Sequence, residues 1–367
     1  MRKGFFVFLL GLLFIIASCG GGGGGGGNQP QPPQGNVLVI TSDYSTGSYS
    51  ILDTENMSST NNINIIHSDS MGRYFNGKIY IIERLEGDAI IVLDQNDPTT
   101  IVTQYSVGNG TNPQDINVID QNKAYITLYG TNYLLIVNPS TGAELGRIDF
   151  SPLADADGIP EMCEMVRYGD YIFVAVQRLD RNNWFAPTDK SYVAVIDTKS
   201  DSIVNVIELT GLNPIFMQYN EFTQKILVGE AGSFFDLTDG GIETIDPRTF
   251  SAEGFVITES TLGGQISGAF CGIAMADANM GYIIIMDESW NTALVSFDLS
   301  TGNKLADIDA PSNGFIHNDI IRVGDKLLLA YREETNPGVR IFNINTATEI
   351  TPNPINTGLP PITFVIY

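Results

Sequence analysis

An all-β repeat fold is what this 367-residue sequence predicts, on three observations. One phrase recurs seven times, an apolar strand that ends on Asp or Asn and runs into a short polar turn. It closes at Asp53, Asp94, Asn138, Asp197, Asp246, Asp298 and Asn343, at intervals of 41, 44, 59, 49, 52 and 45 residues. That loose period is the size of one four-stranded blade. Runs such as 78–83, 171–176 and 282–286 are rich in β-branched and aromatic residues and bounded by Gly, Asn and Asp, the composition of strands between turns. No stretch shows sustained helical spacing. Seven repeats predict a seven-bladed β-propeller over 36–367, as a single domain.

The elements follow in chain order. Residues 1–18 carry Arg2 and Lys3, an apolar run from Phe5 to Ile16 and then small residues, the order of a secretory signal peptide. The run is shorter than the roughly 20 apolar residues that span a bilayer core. Ile16-Ala17-Ser18-Cys19 resembles the lipobox of bacterial lipoproteins, which implies that Cys19 is lipidated and begins the mature chain. By the same resemblance, Gly20 after the cysteine implies the outer membrane of the cell envelope and leaves its face open. Residues 19–35, a glycine run followed by Pro and Gln, bury nothing and read as a flexible tether that stiffens toward its end.

Within each blade, strands A to D run from the central channel outward, and the recurrent phrase is strand C. Residues 114–119 and 123–128 read as the A and B strands of one blade. The domain opens with 37–42 as a B strand and closes with 362–367 as an A strand. The last segment is therefore expected to complete the first blade, which removes exposed sheet edges.

Asn112-Pro113-Gln114-Asp115, Ala124-Tyr125-Ile126-Thr127 and the run from Leu135 through Gly142 together resemble the repeat of YVTN-type propellers, and Asn213-Pro214 and 298–302 match parts of it. The resemblance implies the propeller fold. It implies no catalytic residue, since that repeat is structural.

The formal net charge is −23, from 19 Lys and Arg against 42 Asp and Glu, and loss of Arg2 and Lys3 with the leader makes it more negative. Such a surface repels nucleic acid and anionic headgroups. It attracts cations or a basic protein face, or serves solubility alone. With Cys19 lipidated, Cys163 and Cys271 remain, on inner strands of blades that are not adjacent, and are expected as two separate buried thiols.

The longest repeat is swollen by 151–160, a D-to-A loop, and by 178–190, a B-to-C loop; blades 5 and 6 add B-to-C loops at 230–240 and 288–291. In propellers these loops share one face. Both tryptophans fall here. Trp184, Phe185, Arg181, Phe234, Phe235 and Trp290, with Asp180, Asp236 and Asp239, have the make-up of a binding surface with aromatic anchors and a polar rim. The alternative is rings folded back as satellite cores that pin long loops. Asp155, Asp157 and Glu161, with Gly158, have the alternating spacing of part of a calcium loop, and chance acidic spacing explains them equally. His67 and His317 are the only histidines. His317 falls near the channel mouth, as a base or as hydrogen-bonded structure. No GxSxG elbow, phosphate loop or nucleotide fingerprint is present.

The resulting reading is a lipid-anchored, extracytoplasmic, monomeric propeller that binds an envelope protein or a glycan, touches membrane through its anchor alone, binds no nucleic acid and is not an enzyme. The rival is a hydrolase or lactonase-like enzyme using Glu161, Asp115 and His317 at the channel mouth.

Overall fold

The computed structural model describes residues 36–267, 272–310 and 314–367. The leader, Cys19, the tether and Cys271 lie outside the described residues. Seven antiparallel sheets follow one another around a ring. Blade 1 is Asn36–Ser42, Gly47–Asp53 and Ser58–Thr60, completed on its inner side by Pro361–Ile366. The register of that closing pair runs from Val37 opposite Ile366 to Thr41 opposite Pro361. The expected closure by the last strand is the observed one.

Blades 2 to 5 have four strands each, with inner strands Ser70–Phe75, Pro113–Asp120, Met162–Tyr168 and Pro214–Asn220. Blade 6 splits its inner strand into Gln265–Ile266 and Ala274–Met275, both paired to Met280–Met286. Blade 7 has three strands, and single bridges from Val339 to Ile355 and Phe342 to Glu349 stand in for its outer strand. The four-residue helix Glu259–Leu262 and two 3-10 turns complete the inventory among the described residues.

The repeated Asp or Asn has a physical job. In all seven blades its side-chain Oδ1 accepts the backbone N–H two residues on, at 2.9 Å for Asp53, 2.9 Å for Asp94, 3.0 Å for Asn138, 2.8 Å for Asp197, 2.9 Å for Asp246, 2.8 Å for Asp298 and 3.0 Å for Asn343. Only a short side chain with an oxygen at this reach forms such an Asx turn, so the strand C to strand D corner is written into every repeat.

The core lies between blades rather than inside one layer. Val37 and Val39 pack toward blade 7 with Val339 and Ile341, while Leu38 and Ile40 pack toward blade 2 with Ile79 and Ile81. This is period-2 alternation feeding two interfaces. At roughly 1.5–3 kcal/mol per buried aliphatic side chain, each interface is sizeable, and each blade is stable only between neighbours.

The strand order also separates two faces. Asn36 pairs with Asp53, and Tyr367 donates its backbone N–H to Asn36 O at 3.2 Å. At the other end of the same strand, Ser42 pairs with Gly47 across the B-to-C turn. Asn36 therefore lies on the face opposite the B-to-C loops.

Candidate functional site

The loop between Val176 and Tyr192 rises from blade 4 as a two-residue ladder, Leu179–Asp180 against Ala186–Pro187, closed by a 3-10 turn at Arg181–Asn183. The Asp180 side chain accepts Asn182 N at 2.9 Å. Trp184 and Phe185 follow with φ of 58° and 57°, a left-handed backbone that bulky side chains adopt only under constraint. Trp184 is 92% exposed and Phe185 46%.

Glu161 supplies the constraint. It stands just before the inner strand of blade 4, the place held by Asn112 and Asn213 in blades 3 and 5, and all three have left-handed φ. Asparagine tolerates that conformation, which is the structural reason for the Asn-Pro pairs noted in the sequence. At Glu161 a longer acid takes the strained place and is fully buried. Its Oε1 accepts Arg181 Nε at 2.7 Å and its Oε2 accepts Leu179 N at 3.0 Å. Arg181 Nη2 also donates to Tyr129 O at 2.5 Å, and the guanidinium lies 5.6 Å from the Tyr129 ring and 5.8 Å from that of Phe185. Burial pushes the Glu161 carboxyl up to about 7 against the pull of Arg181.

Arg181, predicted as a surface contact, is thus spent holding its own loop. Asp157 joins in, accepting Arg181 N at 3.2 Å and Ile159 N at 2.9 Å, and Asp155 accepts Asp157 N at 3.0 Å. The cation at this corner is a guanidinium. Among the described residues, no three His, Cys, Asp or Glu side chains stand close enough to hold a metal ion, so the expected ligands Asp155, Asp157 and Glu161 form no such group.

Phe234, Phe235 and Trp290 meet over blades 5 and 6. Ring centroids are 6.2 Å apart for Phe234 and Phe235, 6.0 Å for Phe234 and Trp290, and 5.5 Å edge-on for Phe235 and Trp290. Phe234 stays 64% exposed and Trp290 50%. Phe235 and Trp290 again have left-handed φ, 60° and 64°. Asp239 orders the first loop by accepting Ser233 N and Oγ at 3.0 and 2.7 Å, and Asp287 orders the second through Ser289 N, Asn291 N and Asn291 Nδ2.

Beneath these loops lie three fully buried glutamates, 230, 243 and 259. Glu243 accepts Thr210 N and Oγ1, both at 2.8 Å, and Glu259 accepts Ile266 N at 2.6 Å. Among the described residues, neither Glu230 carboxyl oxygen, nor Glu259 Oε2, makes a hydrogen bond of ordinary geometry, and Glu230 lies against Glu243 and the Gly211 N–H. Burial, and then the Glu243 charge, hold Glu230 well above the usual carboxyl range, and burial pushes Glu259 up to about 8. Glycine is required alongside: a Cβ at Gly211 would stand 2.0 Å from Glu230 Oε2, and one at Gly240 2.5 Å from Glu259 Cδ.

The channel carries its own charge cluster. Arg73 of blade 2 pairs with Asp115 of blade 3 at 2.8 Å and with Glu164 of blade 4 at 2.5 Å. Asp115 also accepts Ile116 N at 2.8 Å and, across the blade boundary, Met165 N at 2.7 Å. Asp319 repeats this staple at the ring closure, accepting Ile320 N at 2.8 Å and Thr363 Oγ1 at 2.7 Å. Burial raises Asp115 and Glu164 against the pull of Arg73, and takes Asp319 to about 7. Sequence reading missed Arg73, whose partners stand 42 and 91 residues away.

His317 is not at the channel mouth. It is fully buried between blades 6 and 7, with Nδ1 3.0 Å from Thr292 Oγ1 and Nε2 2.9 Å from Asp309 Oδ2, and Arg340 pairs with the same Asp309. A register shift between His317 and Asp319 turns the histidine into the blade interface. It serves as hydrogen-bonded structure, and all three groups the hydrolase reading uses, Glu161, Asp115 and His317, are buried. The Cys163 thiol is free and buried, 3.2 Å from Pro214 O, and burial pushes it above its ordinary value.

These features define the class: the chain is a seven-bladed β-propeller with an aromatic loop rim on blades 4 to 6. Solved structures of similar fold include hydrazine synthase of Kuenenia stuttgartiensis, 13% identical, with a TM-score of 0.57 over 86% of this chain and 97% of that one. Apo AztD from Citrobacter koseri is 10% identical, with a TM-score of 0.56 over 90% and 97%. The dihydro-heme d1 dehydrogenase NirN is 15% identical, with a TM-score of 0.57 over 92% and 76%. At these identities the likeness is one of fold alone. No family profile and no curated protein matches the sequence.

Proposed function

We propose that this chain is a lipid-anchored, extracytoplasmic binding module that presents the aromatic rim of blades 4 to 6 to an envelope protein or glycan. The observation that carries this reading is the conformation of Trp184, Phe185, Phe235 and Trp290. All four hold left-handed backbone, at a cost of about 1 kcal/mol or more each, and Trp184, Phe185 and Trp290 remain largely in water. Contacts within the loops return part of that cost at Phe185, Phe235 and Trp290, and no ring contact does so at Trp184 among the described residues, whereas a partner that covers the exposed ring faces returns more. The lipobox-like segment and the acidic surface support an envelope address with neither nucleic acid nor anionic lipid as ligand.

The test has two parts. Radiolabelled palmitate should enter the native chain and fail to enter Cys19→Ser. Surface cross-linking of native cells should recover a partner or glycan with the native chain and lose it with the Trp184→Ala, Trp290→Ala double variant, whose melting temperature should be unchanged. Equal recovery with both forms would remove the rim as the binding face.

A further inference from the structure

The two aromatic loop groups differ in charge, and that difference names a partner class. This step rests on the binding-module reading above. At blade 4 the cations are spent internally: Arg181 on Glu161, Arg178 on Asp189 at 3.0 Å and Lys190 on Glu208 at 2.7 Å. The loops of blades 5 and 6, 230–240 and 287–291, contain Asp236, Asp239, Asp287 and Glu288 beside the three rings, and neither a Lys nor an Arg. Asp236 and Glu288 are exposed. Hydrogen bonds from Thr238 and Asn291 lower Asp236 and Asp287 respectively, so both remain anionic at neutral pH. Glu230 and Glu259 below them are buried and held protonated, so the charge at this surface is that of the aspartates and Glu288 on the loops.

We propose that the Phe234, Phe235 and Trp290 rim is a docking surface for a cationic segment of another protein, one that lays Arg or Lys side chains on the rings and answers the acidic border. Ring faces attract guanidinium and ammonium groups, more strongly where the pair is shielded from water, and an acidic border steers such a partner and repels anionic ones. Neutral sugars would leave the border unanswered. Asn36 lies on the opposite face, so with an anchor at Cys19, as the binding-module reading has it, the rim would point away from the attachment side and toward a partner on another surface.

The test uses the full-length protein in detergent with fluorescein-labelled peptides that alternate glycine with four arginines, or with four glutamates. Fluorescence anisotropy should show the arginine peptide bound at least about 10-fold more tightly, with affinity falling as salt rises. Phe234→Ala with Trp290→Ala should weaken binding by about 10-fold, and Trp290→Phe by much less. Asp236→Asn with Glu288→Gln should cost a few fold, and Leu145→Ala, an exposed residue on the outer strand of blade 3, nothing. An arginine peptide that binds native and rim variants alike shows only the general attraction of an acidic protein and overturns the proposal. If no arginine binding occurs while a neutral glycan array shows binding that Trp290→Ala abolishes, the cationic assignment falls and the binding-module reading stands. If neither probe responds to any rim variant, both fall.

Discussion

The loop of blade 4 and the paired loops of blades 5 and 6 carry the same kind of exposed aromatic residue on the same face, yet they are held in different ways. Blade 4 grips its loop from below with a buried ion pair, Glu161 to Arg181, and leaves Trp184 almost wholly in water. Blades 5 and 6 hold theirs by ring packing and Asx turns at Asp236 and Asp287, over Glu230 and Glu259, which burial keeps protonated. In the first region charge is consumed by folding. In the second, Asp236 and Glu288 stand at the surface with no cation paired to them among the described residues, and that charge beside exposed rings is what a partner can use.

The sharpest way to break this comparison is Glu161→Ala. It leaves Arg181 without its carboxylate and Leu179 N without an acceptor, and should cost roughly 3 kcal/mol. Chemical denaturation would read that loss, and hydrogen exchange should quicken across 177–191 and stay unchanged across 231–240.

The next effect is in pH. Glu161 and Glu259 keep protons that the unfolded chain releases near 4.5, since their folded values lie at about 7 and about 8. Their contribution is complete below pH 4.5 and is lost as pH rises through 7 and then 8, each on the order of 2 kcal/mol. Melting temperature should therefore fall between pH 5 and pH 8.5. Glu161→Gln should flatten the lower part of that slope and Glu259→Gln the upper part. A melting temperature that climbs steadily from pH 5 to 8.5 would contradict both assignments.

Smaller still, Phe234→Ala with Trp290→Ala should cost about 1 kcal/mol or less, because rings already half in water lose little burial. Smallest is Glu230→Gln. A protonated acid beside Glu243 is replaced by a neutral amide of the same shape, so stability should hold within about 0.5 kcal/mol or rise, whereas a drop comparable to that of Glu161→Ala would show that the Glu230 charge is needed.

Much of this was legible in the sequence. The seven Asx-turn residues marked the blades because their reach is local, two residues along the chain. The closing strand and the swollen loops followed from period-2 patterning and interval length. Arg73 escaped notice because a cation on an inner strand has no local signature, and its partners come from the next two blades. His317 was expected near the channel, but a register shift of one residue sent it into the blade interface. The acidic run at 155–161 suggested calcium by spacing, and the structure instead brings Arg181 to Glu161 from 20 residues away.

By itself, then, the sequence determined blade number, ring order, the closing strand and the face on which the long loops emerge, because turns and alternating strands are decided by residues close in the chain. Only the tertiary structure decided which charges meet. Blade packing brings distant carboxylates and guanidiniums into a shared, poorly hydrated space, and whether each finds a partner there depends on neighbours that no local pattern records.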